Sequence, residues 1–271
     1  MSSPLNPYRP PEATVTDVPE YGAEVLFAAP AARVDASRGV SWIGEGWALF
    51  KLAPALWIVA LVILFAIQMV LGFLPLIGSI ASLLIGPLFM AGLLAFAHGL
   101  AQGEEADLGR LFVGFREKTG PLVTVALLYA LLIVGVVVVA AVLIAVLLGA
   151  GSSAFESNDP EQIVASLLAG GSGLLMLVVA LVALAAIFLI AAAYWFAPGL
   201  VFYTDLGAVA AMKASFAACL RNWLPFLLYS IVGFFVLLGG TLALVIGLLV
   251  AVPVLMASYY ASFRDLFGQV R

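Results

Sequence analysis

Residues 52–97 read LAPALWIVALVILFAIQMVLGFLPLIGSIASLLIGPLFMAGLLAFA, and no Asp, Glu, Lys, Arg or His interrupts them. About 20 apolar residues in an α-helix cross the roughly 30 Å of hydrocarbon in a bilayer. The stretch is therefore long enough for two crossings, with LPLIG (74–78) as the turn between them. Lipid offers no partner to backbone N–H and C=O groups, so each crossing must satisfy its own as a helix. The expected class is all-α, a polytopic membrane protein.

The rest of the chain agrees. Of its 271 residues 65% are hydrophobic and 10% charged, against an apolar share of about 45–50% in soluble proteins. The long runs lack the alternation of a membrane barrel. Further runs fall at about 121–150, 174–197, 223–238 and 241–263, with Gly239 and Gly240 as the last turn. This predicts six transmembrane helices as three hairpins, 52–97, 121–197 and 223–263, within a domain covering 39–271. Residues 1–38 are polar and proline-rich, with too little apolar surface to offset chain entropy, and are expected to form a disordered tail. Their opening, MSSPLNPYRPPEATVTDVPEYGAEV, has no apolar core and does not read as a secretory signal. Cys219, the single cysteine, has no intramolecular disulfide partner.

Charge tests the span count. The basic residues are Arg9, Arg33, Arg38 and Lys51, then Arg110, Arg116 and Lys118, then Lys213 and Arg221, then Arg264 and Arg271. Each group precedes the first span or follows an even-numbered one. Basic loops stay on the cytoplasmic side, so both termini are expected there, with the acidic segment 151–162 outside.

An ungapped internal match supports a repeat. GPLFMAGLLAFAHGL (86–100) lies against VPVLMASYYASFRDL (252–266), so that Pro87, Met90, Ala91, Ala95 and Leu100 match Pro253, Met256, Ala257, Ala261 and Leu266. Both copies run in the same direction, so the repeat is parallel, unlike the inverted repeats of many secondary transporters. Each hairpin also has a lead-in: GWALFKLAPALW, then LGRLFVGFREKTGPLV with Leu108, Leu111, Phe112 and Phe115 at helical spacing, then LGAVAAMKASFAACLRNW with Val209, Met212, Phe216 and Leu220 on one face. These are expected to be amphipathic helices in the membrane interface, either as plain connectors or as lipid-binding elements.

Candidate functional residues are few. One His and one Cys make no metal set, no phosphate-binding glycine loop is present, and Glu104 and Glu105 sit in a charged loop. No catalytic residue, cofactor or metal is expected, and no nucleic-acid partner. Spans that move ions usually hold ionisable groups at mid-depth; here Gln68 is the most polar residue well inside a run, and a packing hydrogen bond explains it. Gly86, Pro87, Ala91 and Ala95 in one copy, and Gly247, Pro253, Ala257 and Ala261 in the other, offer small faces. Such faces let helices pack closely, or, with the prolines as kinks, line a cavity. Trp47, Lys51, Arg110, Arg116, Lys213, Arg221, Trp223 and Arg264 form an aromatic and basic set suited to anionic lipid headgroups. His98 aligns with Arg264, which reads as a cation at a helix end and not as a proton relay.

WIGEGWALF (42–50), LFVGFR (111–116), ASFAACLRNWLPFLLY (214–229) and ASYYASFRDLFG (257–268) resemble a family of proteobacterial multi-span inner-membrane proteins of unknown function, over roughly residues 33–268. NPYRPPEA is similar to short tails on unrelated bacterial membrane proteins. The resemblance implies the bacterial inner membrane and carries over no activity, substrate or catalytic residue. The function expected is a non-catalytic scaffold or accessory subunit packing against lipid, a second copy or a membrane-protein partner. The alternative is a carrier or channel for an apolar or lipid-like molecule.

Overall fold

A computed structural model describes residues 25–150, 159, 161, 172–243 and 246–270. The described chain is helical apart from one short strand pair. Its elements are β1 (Val25–Phe27), α1 (Arg38–Leu52), α2 (Pro54–Gly72), α3 (Ile77–Ala101), a 3-10 segment (Leu108–Phe115), α4 (Thr119–Ala150), α5 (Ser172–Trp195), α6 (Ala197–Tyr203), α7 (Ala208–Arg221), α8 (Trp223–Leu242), α9 (Leu248–Phe267) and β2 (Gly268–Val270).

Five helical stretches among the described residues are long and apolar enough to cross a membrane: Pro54–Gly72, Ile77–Ala101, Thr119–Leu148, Gly173–Tyr203 and Trp223–Leu242. They coincide with the first five expected runs. The sixth run is α9, which is not among them, because Ser258, Tyr259, Tyr260, Ser262, Arg264 and Asp265 make its second half polar. That half is buried inside the protein. The final turn also lies later than expected. Gly239 and Gly240 belong to α8, and Gly240 meets Gly247 across the turn.

The expected lead-ins take three different forms. α1 is a core helix: Trp42, Leu49 and Phe50 are buried on the face that packs along α9. Gly46 makes that approach possible, since a Cβ there would stand 2.6 Å from the carbonyl oxygen of Val254. The second lead-in is the 3-10 segment, not an α-helix. Its Gly114 and the Gly92 of α3 bring the two backbones into contact, and of the four residues expected at helical spacing Leu111 is buried while Phe115 is exposed. The third, α7, is an α-helix, but it buries Ala208, Ala211, Met212, Ser215 and Ala218 and leaves Val209 and Leu220 exposed. Small residues win this face because α7 lies tightly against α5.

Residues 25–37, expected to belong to a disordered tail, are ordered. β1 pairs antiparallel with β2 in the register Val25↔Val270, Leu26↔Gln269 and Phe27↔Gly268. The segment after β1 is held by Ala28 N–H donating to Phe267 O at 2.9 Å and Ala32 N–H to Leu266 O at 2.7 Å. Asn222 clamps it from the side, accepting from Val34 N–H and donating to Ala32 O, each at 3.0 Å. Phe27 supplies the apolar anchor, with ring centroids 4.6 Å from Tyr203 and 4.9 Å from Phe263. The rest of that expected tail, and most of the acidic segment 151–162, lies outside the described residues.

Candidate functional site

Burial divides each long helix in two. In α3 the residues from Pro87 to Ala101 are almost all buried, and in α9 so are those from Pro253 to Phe267. Pro87, Ala91 and Ala95, with Pro253, Ala257 and Ala261, therefore form solid packing inside a base at the end where the basic residues lie. Gly247 lies apart, at the α8–α9 turn against Gly240. None of the six seam residues lines the cleft beside Gly86.

Gly86 is the exception among the candidates. It borders a cleft of about 870 Å³ walled by α2, α3, α5, α8 and α9. Phe89, Met90 and Leu93 of α3 line it, as do Tyr194 and Trp195 of α5, Tyr229, Gly233, Phe234 and Leu237 of α8, and Val252, Leu255, Met256 and Tyr259 of α9. Gly86 and Gly233 keep two walls thin. A Cβ on Gly86 would meet Tyr194 Oη at 3.5 Å, and one on Gly233 would meet Leu255 at 3.6 Å, both ordinary contacts.

Three polar side chains around this cleft are bonded within the protein. Tyr229 Oη lies 2.9 Å from Ser258 Oγ, and Tyr259 Oη donates to Trp195 O at 2.6 Å. Gln68 accepts from Ser82 Oγ at 2.8 Å, the packing bond expected of it. With those three groups bonded and the remaining walls apolar apart from Tyr194, Trp195 and Ser230, the cleft suits a hydrocarbon-rich occupant. At 1.5 Å per residue Gly233 lies about 15 Å along α8 from Trp223, and Gly86 about 22 Å along α3 from Ala101.

The expected headgroup contacts separate into two groups. Arg110 pairs with Glu104, Arg221 donates to Ala31 O at 3.3 Å, and Arg264 pairs with Glu45 at 3.1 Å. Trp47, Lys51, Arg116, Lys213 and Trp223 remain exposed. Glu104, Asp205 and Arg264, whose convergence would have suggested chemistry, hold three separate partners: Arg110, Lys118 and Glu45.

Sequence reasoning missed the polar knot that joins α1 to α9. Arg38 bonds Glu45 at 2.7 Å and Asp265 at 2.8 Å, Asp265 also accepts from Trp42 Nε1 at 2.8 Å, and Glu45 reaches Arg264. Burial alone would lower the Arg38 pKa, but the bonds to Asp265 and Glu45 outweigh it and raise the value. The available signal was Arg38 and Glu45 two helical turns apart, with Trp42 between them on the same face. His98 belongs to a neighbouring aromatic group: its Nδ1 lies 2.9 Å from Tyr260 Oη, and its ring packs edgewise on Phe27 and Tyr203.

Residues 73–193 match a protein family described as "Predicted integral membrane protein (DUF2189)". The chain is an integral membrane protein. The matched stretch contains Gly86, His98 and LFVGFR, and leaves α1, α8 and α9 outside. No curated protein and no solved structure matches the chain. Within a bilayer, the depths of Gly86 and Gly233 put that part of the cleft in the hydrocarbon, while Tyr194 and Trp195, at the end of α5, border the rest.

Proposed function

We propose that the chain is a non-catalytic protein of the bacterial inner membrane that holds an apolar or lipid-like molecule in the cleft. The cleft itself carries this reading: about 870 Å³ of apolar-walled space beside a solid seam is more than a scaffold needs for packing. The closed seam argues for lateral entry from the lipid and against a path straight through the helices. Both termini lie on the cytoplasmic side, where Lys and Arg concentrate. Strand pairing supports this placement. β1 and β2 lie on one side, so the number of crossings between them is even, and α9, about 30 Å long, completes six as the third hairpin. Matched prolines in α3 and α9, each followed by a buried second half, favour the parallel repeat.

Mass spectrometry of molecules retained after purification in mild detergent tests the proposal. The wild-type chain is expected to retain about one lipid-like molecule. Gly86→Leu and Gly233→Leu, whose first side-chain atom fits but whose branches fill the cleft, should retain far less. Equal retention by all three proteins would remove the reading.

A scaffold or accessory role is the second reading, favoured by α4 and α5. Beyond the base these helices expose Leu131, Val138, Val146, Leu181 and Phe188, a surface available to a partner or a second copy. A stoichiometric partner after in-membrane crosslinking from these positions would favour it.

A further inference from the structure

A second groove differs from the cleft in one chemical respect. It is smaller, about 310 Å³, and lies where α7 crosses α4 and α5. Leu128 and Leu132 of α4, Ala193 of α5, and Val209 and Phe216 of α7 wall it, and Lys213 stands at its edge. Neither the larger cleft nor the shallow groove between α4 and α5 is bordered by a charged residue. Lys213 is exposed and bonds no carboxylate among the described residues.

The level of the groove follows from how α7 is fixed. Ser215 Oγ accepts from Phe196 N–H at 2.9 Å and donates to Ala192 O at 2.7 Å, which ties α7 to the last turn of α5. α5 ends at this level, at Trp195, and the apolar stretch runs on through α6 to Tyr203, beyond which the basic loop begins. From there Leu128 and Leu132 line α4 one turn apart, toward its apolar middle. A lysine stem lies comfortably on such a surface while its ammonium reaches the headgroup region.

We propose that this groove binds an anionic phospholipid, with its phosphate on Lys213 and an acyl chain against Leu128 and Leu132. A neutral apolar molecule has no use for the lysine. A free anion has none for the apolar walls. An amphiphile with a negative head uses both, and an unpaired cation at the headgroup level attracts it. Exposed Arg33 carries the same charge, lies outside the expected headgroup set and borders none of these three openings, which makes it a control.

The full chain, purified in detergent and offered equal amounts of phosphatidylglycerol and phosphatidylethanolamine, tests this by native mass spectrometry. Lys213→Ala is expected to lower the preference for phosphatidylglycerol about fivefold, the effect of one cation near a membrane surface. Lys213→Arg and Arg33→Ala should keep it. Because Lys213 is exposed, its loss leaves the fold intact, and a thermal melt of each variant verifies that. The inference is overturned if Lys213→Ala keeps the preference, or if Arg33→Ala loses it equally. Gly86→Leu and Gly233→Leu do not touch this groove and should leave the preference unchanged, so the cleft reading can fail independently.

Discussion

Two regions of one molecule solve the packing problem differently. In the base, α1, the first turn of α2, the second halves of α3 and α9, α6 and α7 bury aromatic rings against one another, with Trp42, Trp57, Tyr260, Phe196 and Phe263 fully covered. Glycines there bring backbones into contact, and Arg38, Glu45, Arg264 and Asp265 are paired. In the arms, the rest of α2, the outer parts of α4, α5 and α8, and the first turns of α3 and α9 present Leu, Val, Ile and Phe to lipid. Lipid tails are as apolar as these side chains, so no hydrophobic force draws the arms together. The base is organised like the core of a soluble protein. The arms are positioned by their attachment to it and by the bilayer.

Substitutions of matched type in the two regions can break this contrast. Trp42→Ala removes a fully buried indole and one partner of Asp265. It should destabilise by about 3–5 kcal/mol, seen as lost monodisperse protein or a large fall in Tm. Phe188→Ala, at a residue 68% exposed on α5, should stay within about 0.5 kcal/mol. A similar loss at both sites would mean that the arms are as tightly packed as the base.

Glycine substitutions sharpen the contrast on a smaller scale. Gly46→Ala places a methyl 2.6 Å from Val254 O, and forcing α1 off α9 should cost about 1–3 kcal/mol. Gly135→Ala meets nothing within 4 Å, and should be neutral or stabilising by up to about 1 kcal/mol through helix propensity. Thermal melts in one detergent compare the two directly. Glu45→Gln, which loses its pairs with both Arg38 and Arg264, should cost on the order of 1 kcal/mol, because the groups are partly exposed.

Cys219 gives the most local readout. Burial pushes its thiol up to about 12, and Sγ lies 3.5 Å from Ala192 O. The thiolate is the reactive form, so a raised pKa means slow alkylation at neutral pH and a rate that climbs with pH through 9. Maleimide labelling should be near zero in the folded protein at pH 7 and complete in denaturant. Fast labelling without denaturant would show that the α5–α7 contact is loose.

The sequence made the arms more legible than the base. A charge-free run such as 52–97 has one stable solution in lipid, so composition and length were enough. The base depends on partners far apart in the chain: Arg38 with Asp265, Phe27 with Tyr203 and Phe263, Asn222 with Val34. None of these follows from local spacing. Val25–Phe27 looked like tail because prolines and acids surround it, and its strand exists only once β2 is beside it. The small faces at Pro87 and Pro253 stood out in the sequence, and all six of their residues are buried. The cleft was not, since its walls come from five helices and only Gly86 among the candidates touches it.

The β1–β2 pairing also bears on the order of assembly. Residues 25–27 emerge early from the ribosome, yet their partners at 268–270 emerge only after every described helix has been made. Each apolar hairpin can enter the membrane as it is synthesised, whereas closing so long a loop is slow and comes late. The base is therefore a final, whole-chain event, during which Phe27 and its aromatic neighbours wait uncovered. A nascent chain halted before α9 would hold inserted arms above an unfinished floor, with β1 free to pair with a foreign edge.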